Sequence, residues 1–249
     1  MPDRRPRIAI GPEPIAAYAS DAVTRAGGVV VPLGDAAALV WASPGNVDEL
    51  AAAVASAPHL QWIHLRWAGV EEFAGRGLFD PSKVWTCGKG VFAEPVAEHA
   101  LALALAGLRD LPQRIGATTW QAQSGVSLYD GRATILGGGG IAEALAALLA
   151  PMRVELTVVR RSGAPFAGAA RVLTPDRADE AFTGADVVFV ALALTGETDG
   201  FVDERRLRLM EPHAWLVNVG RGRHVVTDDL VRVLRDGAIG GAALDVTEP

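Results

Sequence analysis

Short apolar runs rich in β-branched residues alternate with longer amphipathic segments along this chain of 249 residues. Such alternation predicts parallel strands connected by helices that cover the sheet. In the first third of the chain, the pattern predicts strands at Arg7–Ile10, Val29–Pro32, Ala38–Trp41, Leu60–Leu65 and Lys83–Thr86. The helices predicted between them are Pro14–Ala26 and Val47–Ser56.

A second series of strands and helices begins at residue 132. Its predicted strands are Arg132–Leu136, Val154–Val159, Arg171–Leu173, Asp186–Val190, Ala214–Asn218 and Ile239–Leu244. Its predicted helices are Ile141–Ala150, Asp176–Phe182, Asp203–Leu209 and Asp228–Arg235.

A long helical pattern at Ala93–Leu108 separates the two series, and Glu94 and Pro95 stand in its first turn, where both residue types are favoured. We therefore place a domain boundary near Ala93, which gives domains 1–93 and 94–249. The predicted fold class is α/β, with two Rossmann-like or flavodoxin-like domains built on parallel sheets.

Composition and charge narrow the classes of function. The formal net charge of −6 argues against nucleic-acid binding, for which a basic surface is expected. Cys87 is the single cysteine, so no internal disulfide can form, which favours a reducing compartment. The apolar stretch 100–108 is too short to span a bilayer, and Pro12, Glu13 and Pro14 interrupt any secretory signal core. We expect a soluble, cytoplasmic protein without nucleic-acid or membrane partners.

Four consecutive glycines between a predicted strand and a predicted helix are the most informative segment. Gly137, Gly139 and Ala142 fit the pattern G-x-G-x-x-(G/A). In that pattern the first glycine permits a tight turn, the second lets a pyrophosphate approach the backbone, and the small third residue lets helix and strand pack closely. The N–H groups at the helix start, at Gly140 and Ile141, would face the phosphates. We predict a dinucleotide site here, although four glycines are also compatible with a simple loop.

The end of the next strand bears on which dinucleotide binds. An acid at this point would hold a ribose 2′-hydroxyl, as NAD requires, but Arg160, Arg161 and Ser162 stand there instead. Arginine suits a 2′-phosphate by its charge and its bidentate geometry. We therefore predict NADP(H) rather than NAD(H), the alternative being two solvated surface arginines.

Two later strands deliver polar residues to the same edge of the sheet, where open α/β sheets bind ligands. The first brings Asn218 and Arg221, and a guanidinium there could grip a substrate carboxylate. We expect Arg223 and His224, just beyond, to lie on the loop surface. The second strand brings Asp245, for which a turn residue is the plainer interpretation.

Several segments together resemble the D-isomer-specific 2-hydroxyacid dehydrogenase family, and they appear in the family's order. They are LQWIHLRWAGVEEF (60–73), EPVAEHALALALAGLRDL (94–111), ATILGGGGIAEALA (133–146), ALALTGETDGFVD (191–203), LVNVGRG (216–222) and GGAALDVTEP (240–249). The N-x-x-R-G motif followed at this spacing by the A-x-L-D-V strand is the most specific of these matches.

The resemblance implies roles for matching positions. Arg221 resembles the catalytic arginine that binds the carboxylate of a 2-oxo acid and polarises its carbonyl. Asp245 resembles the acid that receives the nicotinamide carboxamide. The remaining positions form three groups. Val219 and Gly220 resemble positions whose backbone lies next to the nicotinamide. Leu192, Ala193 and Thr198 resemble positions that contact the cofactor. Ala68 and Gly69 resemble positions whose amide groups bind the substrate carboxylate.

Other parts of the family pattern fall outside these matches. His99 resembles a hydrogen-bonded residue of the helix that links the domains, so we do not assign it a catalytic role. The partner glutamate of the family counts to position 250, and the general-acid histidine and the last helix lie beyond it. The sequence in hand ends at Pro249, so we expect the C-terminal part of the family fold to be absent and the activity of this chain to depend on whether those residues exist.

The resemblance implies an NADP(H)-dependent oxidoreductase that transfers a hydride to a small 2-oxo acid of the glyoxylate or hydroxypyruvate type. A phosphoglycerate dehydrogenase relative is an alternative, with Arg66 in its favour and the bulk of Trp67 against it. A non-catalytic protein that senses the dinucleotide is another. The family also implies a homodimer that uses the 94–109 helix and Leu111–Leu128.

Overall fold

The computed structural model describes residues 5–14 and 17–248. The chain divides into two compact units, one up to Val91 and one from Phe92 onward. Each unit contains one parallel sheet. The prediction of an α/β fold with two parallel sheets is confirmed, and the division between the units falls beside the expected boundary at Ala93.

The first unit has the strand order β2-β1-β3-β4-β5. Its strands are β1 (Arg7–Gly11), β2 (Val29–Val30), β3 (Ala38–Trp41), β4 (Trp62–Leu65) and β5 (Val84–Cys87), and its helices are α1 (Ala17–Arg25), α2 (Val47–Ser56) and α3 (Glu71–Gly75). The core on one face contains Leu39, Leu50 and Ile63, all nearly inaccessible to solvent. Since β1 and β3 are neighbours while β2 lies outside β1, the strand order reverses beside β1.

The second unit has the strand order β11-β10-β9-β6-β7-β8. Its strands are β6 (Arg132–Leu136), β7 (Glu155–Val159), β8 (Arg171–Leu173), β9 (Val187–Val190), β10 (Trp215–Asn218) and β11 (Gly241–Leu244). Its helices are α4 (Ala93–Leu108), α5 (Leu111–Ile115), α6 (Gly140–Leu149), α7 (Ala178–Phe182), α8 (Glu204–Leu207) and α9 (Thr227–Arg235). This order is that of dinucleotide-binding sheets, in which the ligand crevice lies where the order reverses, here between β6 and β9.

Both faces of the second sheet are buried. One face packs against α4 and α6 through residues such as Ala97, Ala142 and Leu145. The other packs against α7, α8 and α9 through residues such as Phe182 and Leu207. Because both faces are covered, the strands are almost wholly apolar, as parallel sheets require.

The ring of Trp215 packs between α4 and the start of β11, in a space that we call the tryptophan slot. A Cβ added to Gly107 on α4 would lie 2.2 Å from the ring of Trp215, and one added to Gly241 would lie 2.5 Å from it. A Cβ added to Gly240 would lie 3.2 Å from the indole nitrogen of Trp215. The indole therefore fits only because Gly107 and Gly241 carry no side chain.

Several predicted bounds differ from the structure. The strand predicted at Val29–Pro32 is limited to Val29–Val30, and a 3₁₀ turn at Leu33–Asp35 follows Pro32. The helix predicted from Pro14 starts at Ala17 among the described residues, since 15 and 16 lie outside them. The helix predicted at Asp176–Phe182 is divided into a 3₁₀ turn at Pro175–Arg177 and α7, because Arg177 leaves helical geometry.

Candidate functional site

The carboxyl edge of the second sheet brings together most of the residues singled out from the sequence. The loops that follow β6, β7, β9, β10 and β11 all begin at this edge, because the five strands are parallel and in register. We call residues 137–139 the glycine loop and residues 219–224 the arginine loop.

The glycine loop is shaped by two different constraints. Gly137 has a φ of +118°, and an added Cβ would lie 2.4 Å from the carbonyl oxygen of Ala191. Its N–H donates to Val159 O at 2.8 Å, which ties the loop to the neighbouring strand β7. At Gly139, in contrast, an added Cβ would meet nothing within 4 Å. The loop is therefore crowded at its first glycine and open at its N-cap glycine, the side from which a ligand can approach.

Helix α6 begins directly at this opening. Gly139 is its N-cap and contributes no side chain to capping, so the first N–H groups of the helix at Gly140 and Ile141 are directed at the opening. Ala142, at the third position of the motif, is fully buried against the core. The arrangement is an anion site of the kind that suits a pyrophosphate.

Arg160 lies against the glycine loop. An added Cβ on Gly138 would lie 3.0 Å from its Nε and 3.1 Å from its Cβ. Its guanidinium carbon is 5.8 Å from the ring centroid of Phe166. Arg161 is exposed, as is Ser162, whose Oγ accepts a long hydrogen bond of 3.4 Å from Ala164 N. Of the three residues, Arg160 is the one that the fold holds beside the candidate cofactor loop.

The loop after β9 completes the crevice on the far side of the glycine loop. Thr198 Oγ1 donates to Ala193 O at 2.8 Å and accepts from Thr195 N at 2.8 Å, so its hydroxyl fixes the curvature of the loop. Leu192 is half-buried against the core. Thr198 is therefore placed as a support of the loop, and its hydroxyl faces the loop's own backbone.

The arginine loop is held by two buried polar side chains. Asn218 is fully buried; its Nδ2 donates to Arg221 O at 2.9 Å, and its Oδ1 accepts from Gly220 N at 3.0 Å. His224 is also fully buried, and its Nδ1 accepts from Arg221 N at 3.0 Å. Val219 N donates to Val190 O at 3.1 Å and continues the pairing of β10 with β9.

The expectation that His224 lies on the loop surface is wrong. His224 stands three residues after Arg221 and closes a capping box on the 3₁₀ turn Gly222–His224. That i to i+3 spacing was the available signal, but burial of the ring depends on neighbouring segments. Arg223 is exposed as expected and forms an ion pair with Asp199.

Arg221 itself is half-buried, and its Nη1 donates to Gly220 O at 2.8 Å. On the next residue, an added Cβ at Gly222 would lie 2.1 Å from the carbonyl carbon of Thr247. The segment after β11 therefore passes directly over the arginine loop. This contact explains why a residue without a side chain follows Arg221.

Asp245 lies directly after β11, and its N–H donates to Asn218 O at 3.0 Å. The nearest ionic partner of its carboxylate is His99 on α4, with Nε2 and Oδ1 3.4 Å apart. Both side chains are about half exposed. The sequence did not indicate this pair, because His99 and Asp245 are more than 140 residues apart and no local pattern connects them.

In the first unit, Ala68 and Gly69 follow the carboxyl end of β4. Ala68 is exposed and Gly69 is half-buried. Within residues 5–14 and 17–248, neither of their N–H groups donates to a backbone carbonyl. The assignment of these two amides to a substrate carboxylate stays a prediction.

The described part of the chain holds no cluster of His, Cys, Asp and Glu that could bind a metal ion. Among the same residues, no helix combines the length and apolar character needed to cross a bilayer.

The family model for the NAD-binding domain of D-isomer-specific 2-hydroxyacid dehydrogenases matches residues 99–249, more than half of the chain. The chain belongs to this family. The 2-hydroxyacid dehydrogenases are oxidoreductases, and the matched region contains the glycine loop, the arginine loop and Asp245.

Individual relatives agree with this assignment. An uncharacterized protein in the proB 3′ region of Corynebacterium melassecola is 36% identical over 197 residues, which are 77% of this chain and 65% of that protein. Glyoxylate reductase of Pyrococcus furiosus is 31% identical over 191 residues, 72% of this chain and 55% of the relative. The chain thus spans between half and two thirds of the length of these curated relatives.

Solved structures of 2-hydroxyacid dehydrogenases share the fold. The family protein from Aeromonas salmonicida subsp. salmonicida superposes with a TM-score of 0.83 at 24% identity and covers 98% of this chain and 82% of its own. The family protein from Xanthobacter autotrophicus, solved in complex with NADPH and MES, has the same TM-score at 22% identity, over 98% of this chain and 82% of its own.

Proposed function

We propose that the protein is an NADP(H)-dependent reductase of small 2-oxo acids, of the glyoxylate or hydroxypyruvate type. The observation that carries this proposal is made at one edge of the second sheet. An open glycine loop lies there together with Arg221, whose backbone is held by the buried side chains of Asn218 and His224. The relative named glyoxylate reductase in Pyrococcus furiosus supports the substrate class.

The residues present fit a dinucleotide. The opening at Gly139 leaves room for a pyrophosphate, and the first N–H groups of α6 supply donors for it. The loop 192–198 would lie along the cofactor, and Val219, Gly220 and Asp245 would receive the nicotinamide carboxamide. A bound nicotinamide cofactor supplies the hydride.

Arg160 supports a preference for NADP(H). Its side chain packs on Gly138, so its guanidinium stays near the ribose end of a dinucleotide on this loop. A charge-assisted hydrogen bond to a 2′-phosphate contributes about 1.5–3 kcal/mol, which is roughly a 10- to 150-fold preference. Arg161 and Ser162 would add contacts from the solvent side.

Arg221 would hold the substrate carboxylate and stabilise the charge that develops on the carbonyl oxygen. Asn218 and His224 fix the backbone on both sides of Arg221, which restricts where its guanidinium can go. The amides of Ala68 and Gly69 would bind the substrate carboxylate. The resemblance assigns proton donation to a histidine that the family carries after the segment matched here.

The cofactor preference is tested by binding measurements with NADPH and NADH on the wild type, Arg160→Ala and Arg161→Ala. We expect the wild type to favour NADPH, and Arg160→Ala to lose about 10- to 150-fold in NADPH affinity with little change for NADH. Arg76→Ala, in the first unit, is the control. A wild type that prefers NADH contradicts the assignment.

The role of Arg221 is tested by turnover of glyoxylate and hydroxypyruvate. Losing a donor that stabilises an oxyanion lowers turnover about 10²- to 10³-fold, so we expect that loss for Arg221→Ala while NADPH affinity is kept. Normal turnover by this variant excludes the role. A protein that binds NADPH but turns over no 2-oxo acid fits instead the dinucleotide sensor.

We also propose a homodimer. The segment that follows α4 exposes Leu111, Ile115 and Trp120, the last two by 84% and 100%. Exposed apolar residues clustered in one segment are typical of an interface. Light scattering after gel filtration tests this, with Ile115→Ser expected to yield monomer.

A further inference from the structure

His99 of α4 and Asp245 after β11 contact each other at the carboxyl edge of the second sheet. The imidazole Nε2 and the carboxylate Oδ1 are 3.4 Å apart, and both side chains are about half exposed. This distance is slightly longer than that of an ordinary N–H···O hydrogen bond, and polar contacts of this kind in a site often tighten when a ligand binds. The pair therefore brings the long helix to the edge where the cofactor loops begin.

The packing of α4 on the sheet sets the position of His99. Helix α4 buries one face through Ala97, Ala100 and Ala104, all inaccessible to solvent. Their spacing of three and four residues is that of a single helix face, and His99 stands at its border, one residue before Ala100. A side chain on that border reaches the sheet edge while it stays open to solvent.

The contact with His99 bears on how the carboxylate of Asp245 is oriented. The backbone of this residue is fixed, because Asp245 N donates to Asn218 O at 3.0 Å. Its side chain is exposed and rotates about two torsions. Among residues 5–14 and 17–248, His99 is the one ionic partner of this carboxylate. The imidazole is thus the contact that favours one orientation of the carboxylate over the others.

The two oxygens of Asp245 can serve two partners. An ionised carboxylate accepts hydrogen bonds at both oxygens, and His99 approaches Oδ1. Oδ2 remains for another donor, and the amino group of a carboxamide is a donor of the required kind. With Oδ1 next to the imidazole, Oδ2 keeps a constant direction, which lowers the entropic cost of ordering the carboxylate when a ligand binds.

We propose that His99 is a positioning residue, which holds the carboxylate of Asp245 in the orientation that receives the nicotinamide carboxamide. This inference rests on the proposed function and adds to it a residue of the long helix. It predicts that His99 affects the affinity for the nicotinamide half of the cofactor alone. The pyrophosphate and the adenosine half would be held by the glycine loop and Arg160, which follow β6 and β7.

Binding of whole and truncated cofactors tests the proposal. NADPH contains the nicotinamide and 2′-phospho-ADP-ribose lacks it, while NADH and ADP-ribose form a second pair without the 2′-phosphate. We expect His99→Ala to bind the whole cofactor of the preferred pair about 3- to 10-fold more weakly, the effect of one hydrogen bond. The truncated cofactor should bind to this variant as it does to the wild type. Calorimetric titration of the full chain measures both affinities and requires no turnover.

Conservative variants assign the effect to the nitrogen that contacts Asp245. The amide nitrogen of glutamine lies near the position of an imidazole Nε2, whereas that of asparagine lies near Nδ1. We therefore expect His99→Gln to keep the affinity for the whole cofactor within about twofold, and His99→Asn to lose as much as His99→Ala. Glu98→Ala, at an exposed neighbouring position of the same helix, is the control and should change neither affinity.

A double-mutant cycle tests whether His99 acts through Asp245. Asp245→Ala removes the carboxylate, so the addition of His99→Ala should weaken binding of the whole cofactor no further. Equal weakening of whole and truncated cofactor by His99→Ala, unchanged binding of both, or additive losses in the double variant overturn the proposal. If the wild type binds neither NADPH nor NADH, the proposed function itself fails, whereas tight binding to both the wild type and His99→Ala contradicts only the role of His99.

Discussion

At the residue scale, two glycines of one loop have opposite requirements. Gly137→Ala would force a side chain into a φ of +118° and against Ala191 O, so we expect a loss of at least about 1–3 kcal/mol of unfolding free energy. Gly139→Ala meets open space and should cost less than about 1 kcal/mol, yet its methyl group would occupy the opening for a pyrophosphate.

Urea unfolding and NADPH titration on the two variants check this pair. We expect Gly137→Ala to unfold at lower urea concentration, and Gly139→Ala to fold normally while binding NADPH at least about 10-fold more weakly. Unchanged NADPH affinity in Gly139→Ala would show that the dinucleotide does not approach there.

The pKa of His64 supplies a second prediction at this scale. Desolvation lowers the pKa of this imidazole below its ordinary value of 6.5. Its Nδ1 lies 2.9 Å from Thr86 Oγ1, which accepts a hydrogen bond from Trp62 Nε1 and still has its own O–H hydrogen to offer to a neutral ring.

The unfolded chain therefore binds a proton more readily than the folded chain, and the folded state loses stability as the pH falls through the unfolded value near 6.5. We expect the unfolding free energy of the wild type to decrease between pH 7.5 and pH 5.5 more steeply than that of His64→Gln. His59→Gln, an exposed histidine, is the control. Identical slopes for the wild type and His64→Gln would refute the effect.

Site residues at strand ends could be located from the sequence, whereas the side chains that hold them in place could not. Arg221 and Asp245 follow apolar strands, and parallel strands deliver their ends to one edge. The burial of His224 and the contact of His99 with Asp245 depend on segments brought together only by folding. Sequence pattern therefore predicts which residues reach the edge, and tertiary packing decides which of them support the others.

At the element scale, the turn after β10 depends on one side chain. Asn218 is fully buried and satisfies both Gly220 N and Arg221 O. In Asn218→Ala both backbone groups lose their partner, and each buried unsatisfied group costs about 1–3 kcal/mol. We expect a matching fall in unfolding free energy and faster amide exchange at Gly220. Arg223→Ala, an exposed residue of the same loop, should change stability by less than about 0.5 kcal/mol.

Two helices were predicted with the correct bounds, and two short helices were missed. Helix α4 at Ala93–Leu108 and α2 at Val47–Ser56 agree residue for residue, since several turns of apolar periodicity define each. Helices α3 and α5 have five residues each, too few for a period to be recognised. Helix α5 also follows Asp110 in a left-handed conformation, a feature that the sequence does not reveal.

At the scale of the whole molecule, each unit has its own core and its own sheet. Units with separate cores unfold in separable transitions unless their interface couples them. We expect calorimetry to resolve two transitions, of which NADPH raises one, because the glycine loop lies in the second unit. The added stability is about 2.7 kcal/mol at a ligand concentration of 100 times Kd. One transition that moves as a whole would contradict this expectation.

The packing of Trp215 in the tryptophan slot makes its fluorescence a probe of the second unit. Of its two tryptophans, Trp120 is fully exposed and Trp215 is half-buried against Gly107 of α4 and Gly241 of β11. Iodide should quench emission from the first and spare the second. Because the first unit holds four further tryptophans, the signal of Trp215 is the part of the quencher-resistant emission that a Trp215→Phe variant loses. That difference would report whether the long helix remains packed on the sheet.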